Sequence, residues 1–110
     1  MAGRILINFA REVRQDGAAP VVVVFGRRAE VVALSRGEAK SYQPLLDWLA
    51  REDVPTIDVT DDLARQALRT GDAELFAQQQ HYSEEGNAVV AATLARRVPA
   101  LVGGACDPCR

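Results

Sequence analysis

Residues Val21, Val22, Val23, Val24 and Phe25 form an unbroken apolar run, entered from Pro20 and ended by Gly26. Valine loses side-chain freedom in a helix and packs well on a pleated surface, so four in a row followed by an aromatic residue predict a strand. The run does not alternate with polar residues, which implies cover on both faces, as in a parallel sheet. Such a strand needs further strands at its edges and helices on each side.

The rest of the chain supplies those elements by its spacing. Ile5, Leu6, Phe9 and Val13 recur at helical intervals, predicting an amphipathic helix over 4–15 that stops at Asp16-Gly17. The stretch from Arg27 to Lys40 suits either a short helix or a loop, because Val31, Val32 and Leu34 fit both and Arg36-Gly37 breaks any longer element. Tyr42, Leu45, Leu46 and Leu49 share a helical face over 41–52, where Pro44 is tolerable only in the first turn. A second strand over 54–59 runs into a helix N-capped by Thr60, with Asp61 and Asp62 favouring its start and Leu63, Ala64, Ala67 and Leu68 lining its inner face. Thr70-Gly71-Asp72 ends that helix before a polar loop through His81. Ser83 then caps a last helix whose Val90, Ala91, Leu94 and Val98 face inward, with Arg96 and Arg97 near its end and Pro99 beyond. The order helix, strand, helix, strand, helix, helix predicts an α/β domain whose two strands lie parallel through a right-handed crossover. Two strands are few for so apolar a run, so a larger sheet is expected.

With 110 residues, 48% of them hydrophobic and 25% charged, the chain has room for one core, assigned here to 1–99 with a flexible tail over 100–110. A net charge of −2, scattered along the chain, provides no footprint for nucleic acid or an anionic membrane. No run approaches the length of a bilayer span, and the start is charged too early for a secretory signal. As written the chain is expected to be soluble and cytoplasmic; an exported or membrane-linked parent would carry its signal ahead of Met1. Cys106 and Cys109 have redox-type or half-zinc spacing, but no second ligand pair exists and the tail offers no helix start to activate a thiol.

The single histidine, His81, is the side chain best suited to general base work near neutrality, although a lone histidine in a polar loop is also an ordinary surface residue. Its setting is informative: His81-Tyr82-Ser83-Glu84-Glu85-Gly86-Asn87, followed by Val89, Val90, Ala91 and Leu94, resembles the histidine block of SGNH (GDSL-type) hydrolases. Upstream, the buried strand, a helix with Tyr42 and Leu45-Leu46, the strand end Ile57-Asp58 and Leu75-Phe76 follow that family's order. Only the segment from His81 to Leu94 is specific.

The resemblance implies a partial flavodoxin-like, three-layer SGNH sandwich and hydrolysis of an ester or acyl ester, without metal or organic cofactor. It implies that His81 takes the proton from a serine hydroxyl and returns it to the leaving alcohol. The family's aspartate three residues before the histidine is Gln78 here, which can hold a tautomer but supplies no charge. Asp72 and Glu74 lie close in sequence and carry no assignment. Ser83 reads as a helix cap rather than a nucleophile, and Gly86 and Asn87 as packing and cap residues. The Gly-Asp-Ser block and the glycine and asparagine blocks that supply oxyanion donors are absent: Ser35, Ser41 and Asn8 stand in other contexts. The chain therefore reads as the C-terminal part of such an enzyme, inactive by itself. The alternative is a non-catalytic α/β protein that works by self-association or partner binding, forming a homodimer or pairing with the missing N-terminal half through the strand at Val21 to Phe25.

Overall fold

The computed structural model describes residues 2–78 and 81–102. Among these, the protein is a mostly helical α/β structure, five helices around a two-strand parallel sheet. In chain order the elements are α1 (Ala2–Gln15), β1 (Val22–Val24), α2 (Arg28–Ser35), α3 (Gln43–Arg51), β2 (Thr56–Asp58), α4 (Thr60–Thr70), a 3₁₀ turn over Asp72–Glu74, and α5 (Glu84–Val102). None of these helices is long and apolar enough to cross a membrane. The Cys106 and Cys109 pair lies outside the described residues.

The two strands pair in parallel with Val22 opposite Thr56, Val23 opposite Ile57 and Val24 opposite Asp58. Side chains alternate across a strand, and the packing follows suit. Val22 joins Leu6, Ile7 and Ala10 of α1, Leu45 and Leu49 of α3, and Val54. Val21 and Val23 join the larger cluster of Val31, Ile57, Val59, Leu63, Leu75 and Val90, contributed by β2, α2, α4, α5 and the segment after α4. Ile57, Leu63 and Leu75 are fully enclosed, each burial contributing about 1.5–3 kcal/mol.

Several expectations change in the structure. The apolar run forms a strand of only three residues, each partly buried, and Phe25 is 52% exposed. With β2 on one side only, the outer edge of β1 has no strand beside it among the described residues, so both faces of the run are covered by helices but its second neighbouring strand is missing. Arg27 to Lys40 resolves into the helix α2, which buries Val31 and ends at Arg36, followed by Gly37 in the left-handed region. On α1 the buried seam is Leu6, Ile7 and Ala10, leaving Ile5 and Phe9 exposed: the helix packs this seam against α3 and one sheet face, and turns the neighbouring stripe outward. Leu68 is 70% exposed and Ala91 is also exposed, because α4 and α5 bury their opposite sides.

Thr60 is not the cap of α4. It is the helix's first residue, fully buried, and the Asp58 carboxylate accepts its backbone N–H at 3.0 Å, so the capping oxygen comes from the end of β2. Pro99 lies inside α5 rather than beyond it. Proline removes the hydrogen bond to the carbonyl four residues back; both Ala95 and Pro99 are exposed, so water can satisfy that carbonyl.

Gly86 packs where no side chain fits, since an added Cβ would collide with the backbone carbonyl of Leu75, which already accepts the Ser83 N–H at 2.9 Å. Gly86→Ala is expected to destabilise the protein by about 1–2 kcal/mol, the overpacking cost exceeding the gain in helix propensity. Urea unfolding measures this directly, and a variant as stable as the parent would show that the turn at Leu75 yields freely.

Candidate functional site

The His81 segment is a short excursion between two anchored points. Leu75 and Phe76 are buried at its start, and at its end Ser83 accepts the Gly86 N–H on its hydroxyl at 3.1 Å and the Asn87 N–H on its carbonyl at 2.8 Å. The Ser83 hydroxyl also donates to the carbonyl of Glu74. The expected cap is therefore in place, with its oxygen committed to backbone. Phe76 and Tyr82 form an antiparallel bridge, and Ala77 donates to the His81 carbonyl at 2.6 Å.

Tyr82 fixes where that bridge sits. Its hydroxyl donates to the Gly26 carbonyl at 2.7 Å, and its ring lies 5.3 Å from Phe76 and 6.5 Å from Phe25. Gly26 lies two residues past the end of β1, and a Cβ there would strike the side chain of Thr60 at the start of α4. The tyrosine therefore ties the residue next to His81 to the carboxyl end of the parallel sheet. In open α/β sheets, ligands bind outside the carboxyl ends of the strands. A cleft of about 330 Å³ opens there, lined by Phe25, Gly26, Arg27, Glu30, Ser41 and Tyr42 among others.

His81 itself is exposed, and its ring makes no hydrogen bond or ion pair among the described residues. Gln78 is likewise exposed, touching His81 only through its carbonyl, which accepts the His81 N–H at 3.4 Å. Asp72 does not turn toward His81. It pairs with Arg28 at 2.7 Å, and that guanidinium holds its carboxyl below the usual carboxylate range. Glu74 is exposed, and its carbonyl accepts the Ser83 hydroxyl. Ser35 donates to Val32 of its own helix and Ser41 to Glu30, while Asn8 is exposed on α1. None of the three is brought to His81.

A second constellation, centred on Asp58, escapes sequence reasoning almost entirely. The buried carboxylate of Asp58, at the end of β2, accepts the Tyr42 hydroxyl at 2.8 Å, the Lys40 ammonium at 2.9 Å and the Thr60 N–H at 3.0 Å. Lys40 also reaches Asp61 at 3.0 Å. The Thr60 hydroxyl, buried beside them, makes no bond of good geometry, yet lies near enough to Tyr42 and Asp58 to influence both. Burial pushes the Asp58 carboxyl up, but the bonds from Lys40, Thr60 and Tyr42 outweigh it and hold the group below its ordinary value. For Lys40, burial pulls down and the two carboxylates push up, with a net rise. Burial raises the Tyr42 and Tyr82 phenols, and the charge of Asp58 adds to both shifts. Both phenols therefore stay protonated as donors near neutrality. The only cue in the sequence is a carboxylate between a β-rich stretch and a helix start, a position whose oxygen can cap the helix.

A further cleft of about 340 Å³ beside α1 is lined by Arg11, Arg14 and Glu52 among others, with neither His81 nor Asp58 among them. The arrangement beside β1 joins an open, partly polar cleft to the Asp58 cluster through Tyr42, which lines the cleft and donates to that carboxylate. Compared with protein-family models, curated proteins and solved structures, the chain matches none.

Proposed function

We propose that this chain is the histidine-bearing portion of an SGNH-type ester or acyl-ester hydrolase, with His81 as general base. The observation that carries the reading is the Tyr82 to Gly26 hydrogen bond, which hangs the histidine segment at the carboxyl end of β1 beside an open cleft. In this reading the two-strand sheet with helices packed on both faces is part of a three-layer sandwich, and the serine and oxyanion donors come from a segment outside these 110 residues. The decisive experiment assays p-nitrophenyl butyrate hydrolysis by the chain alone and together with the polypeptide encoded upstream in the same frame. Turnover that needs both the upstream segment and His81 supports the reading. Turnover indifferent to His81→Ala sinks it.

A second reading rests on a different observation. The outer edge of β1 is open among the described residues, and Ile5, Phe9 and Phe25 are exposed. A non-catalytic protein would use such a surface for self-association, because an unpaired strand edge templates another strand. Sedimentation equilibrium distinguishes the two: a concentration-dependent homodimer favours association, and a stable monomer counts against it.

A further inference from the structure

Between α4 and α5 the side chains of two helices converge on one carboxylate. Asp62, 13% exposed, accepts the Thr93 hydroxyl at 2.7 Å, Arg96 at 3.3 Å and Arg65. These residues line a groove of about 300 Å³ together with Gln66 and Arg69, and it shares no residue with the cleft beside β1. Arg69 stands one helical turn beyond Arg65 and has no ion-pair partner among the described residues. The groove thus gathers three guanidinium groups against one carboxylate in a chain whose net charge is −2.

Each guanidinium has five N–H donors in a planar fork, and Asp62 occupies only part of two of them. Its own charge is covered by three donors, so it orients the forks without filling them. A carboxylate ligand offers two acceptor oxygens and one charge, which leaves a third fork unanswered. A phosphate monoester offers three oxygens and nearly two charges, matching the three arginines. We propose that the α4–α5 groove binds a phosphate monoester, gripped by Arg69 and the free N–H groups of Arg65 and Arg96. The competing explanation is a mere staple between helices, and it needs Asp62, Thr93, Arg65 and Arg96 but gives Arg69 nothing to do.

That difference sets the test. The ¹⁵N-labelled chain is titrated with inorganic phosphate at constant ionic strength, with chloride as the control. Saturable shifts at the amides of 62–69 and 89–96 are expected, with binding roughly tenfold weaker in Arg69→Gln and an unchanged thermal unfolding midpoint. No saturable shift there, or equal affinity in the variant, overturns the proposal. Glycerol 3-phosphate and phosphatidylcholine vesicles containing phosphatidic acid then separate the sources. Arg69-dependent binding of glycerol 3-phosphate alone identifies a soluble phosphate ester, and Arg69-dependent retention on the vesicles identifies a lipid headgroup. Retention of parent and variant alike on the vesicles, with no binding of either soluble phosphate, overturns the proposal.

Discussion

With a Gly-Asp-Ser segment supplied, His81→Ala is expected to lower kcat for p-nitrophenyl butyrate by about 10³-fold or more, because in the proposed function general base catalysis and the activated serine would be lost together. KM should move little, since His81 is exposed and lines no part of the cleft beside β1. The companion variant is Gln78→Asp. A carboxylate behind the imidazole stabilises its protonated form during proton transfer, and exchanging such a carboxylate for a neutral amide costs about 10⁴-fold in a serine triad. Gln78 is already on the same short loop as His81, joined to it by a backbone hydrogen bond. Gln78→Asp should therefore raise kcat by about tenfold or more, a gain smaller than the full triad effect because the loop was not shaped around an acid. Steady-state kinetics of the four combinations reads both effects. If Gln78→Asp raises kcat even when His81 is alanine, the acid acts elsewhere and the pairing of positions 78 and 81 is wrong.

The parts of this site that depend on local chemistry were legible. Ser83 as a cap, Gly86 as a packing glycine and Pro44 in the first turn of α3 each answer to a backbone rule that operates within four residues. What failed depends on which neighbour an element meets. Ile5 and Phe9 share a stripe with Leu6, and nothing in the periodicity of α1 says that α3 will take the side carrying Ile7 and Ala10 instead. Leu68 and Ala91 turn outward for the same reason: Leu68 stands at the margin of the apolar stripe of α4, and α5 carries apolar residues nearly all round, so tertiary contacts decide which side is buried. The Asp58 cluster was invisible on other grounds. Lys40 and Asp58 are eighteen positions apart, on either side of α3, and only the chain's return through that helix brings them to 2.9 Å. Sequence spacing carries no record of such a meeting.

Asp58→Ala is expected to destabilise the protein by about 3–5 kcal/mol, the usual cost of stranding a buried ionic partner. Small domains have only about 5–15 kcal/mol in total, so the variant should sit near its unfolding threshold. Removing the carboxylate leaves the Lys40 ammonium with Asp61 alone, the Tyr42 hydroxyl without its acceptor and the first N–H of α4 uncapped. Asp58→Asn keeps one carbonyl oxygen, enough for the helix N–H, while its NH2 takes the position that accepts the Tyr42 hydroxyl and the charge opposite Lys40 is gone; with that one bond retained, its loss should be smaller than that of alanine. The two variants separate hydrogen bonding from ion pairing. Acid supplies an independent measure. The folded-state pKa of Asp58 is depressed, so its contribution is fully present above the unfolded carboxylate value of about 3.9 and disappears as pH falls through the lower folded value. Lys40 is raised, so its contribution is complete below about pH 10.4 and lost as pH climbs through the folded value. One ion pair therefore fails at both extremes. Urea unfolding across pH should show the parent losing stability at both ends and Asp58→Asn losing less at the acid end. Parallel acid limbs in parent and variant would mean that Asp72 or other carboxylates carry the acid sensitivity, and that the Asp58 cluster holds the sheet end by hydrogen bonds alone.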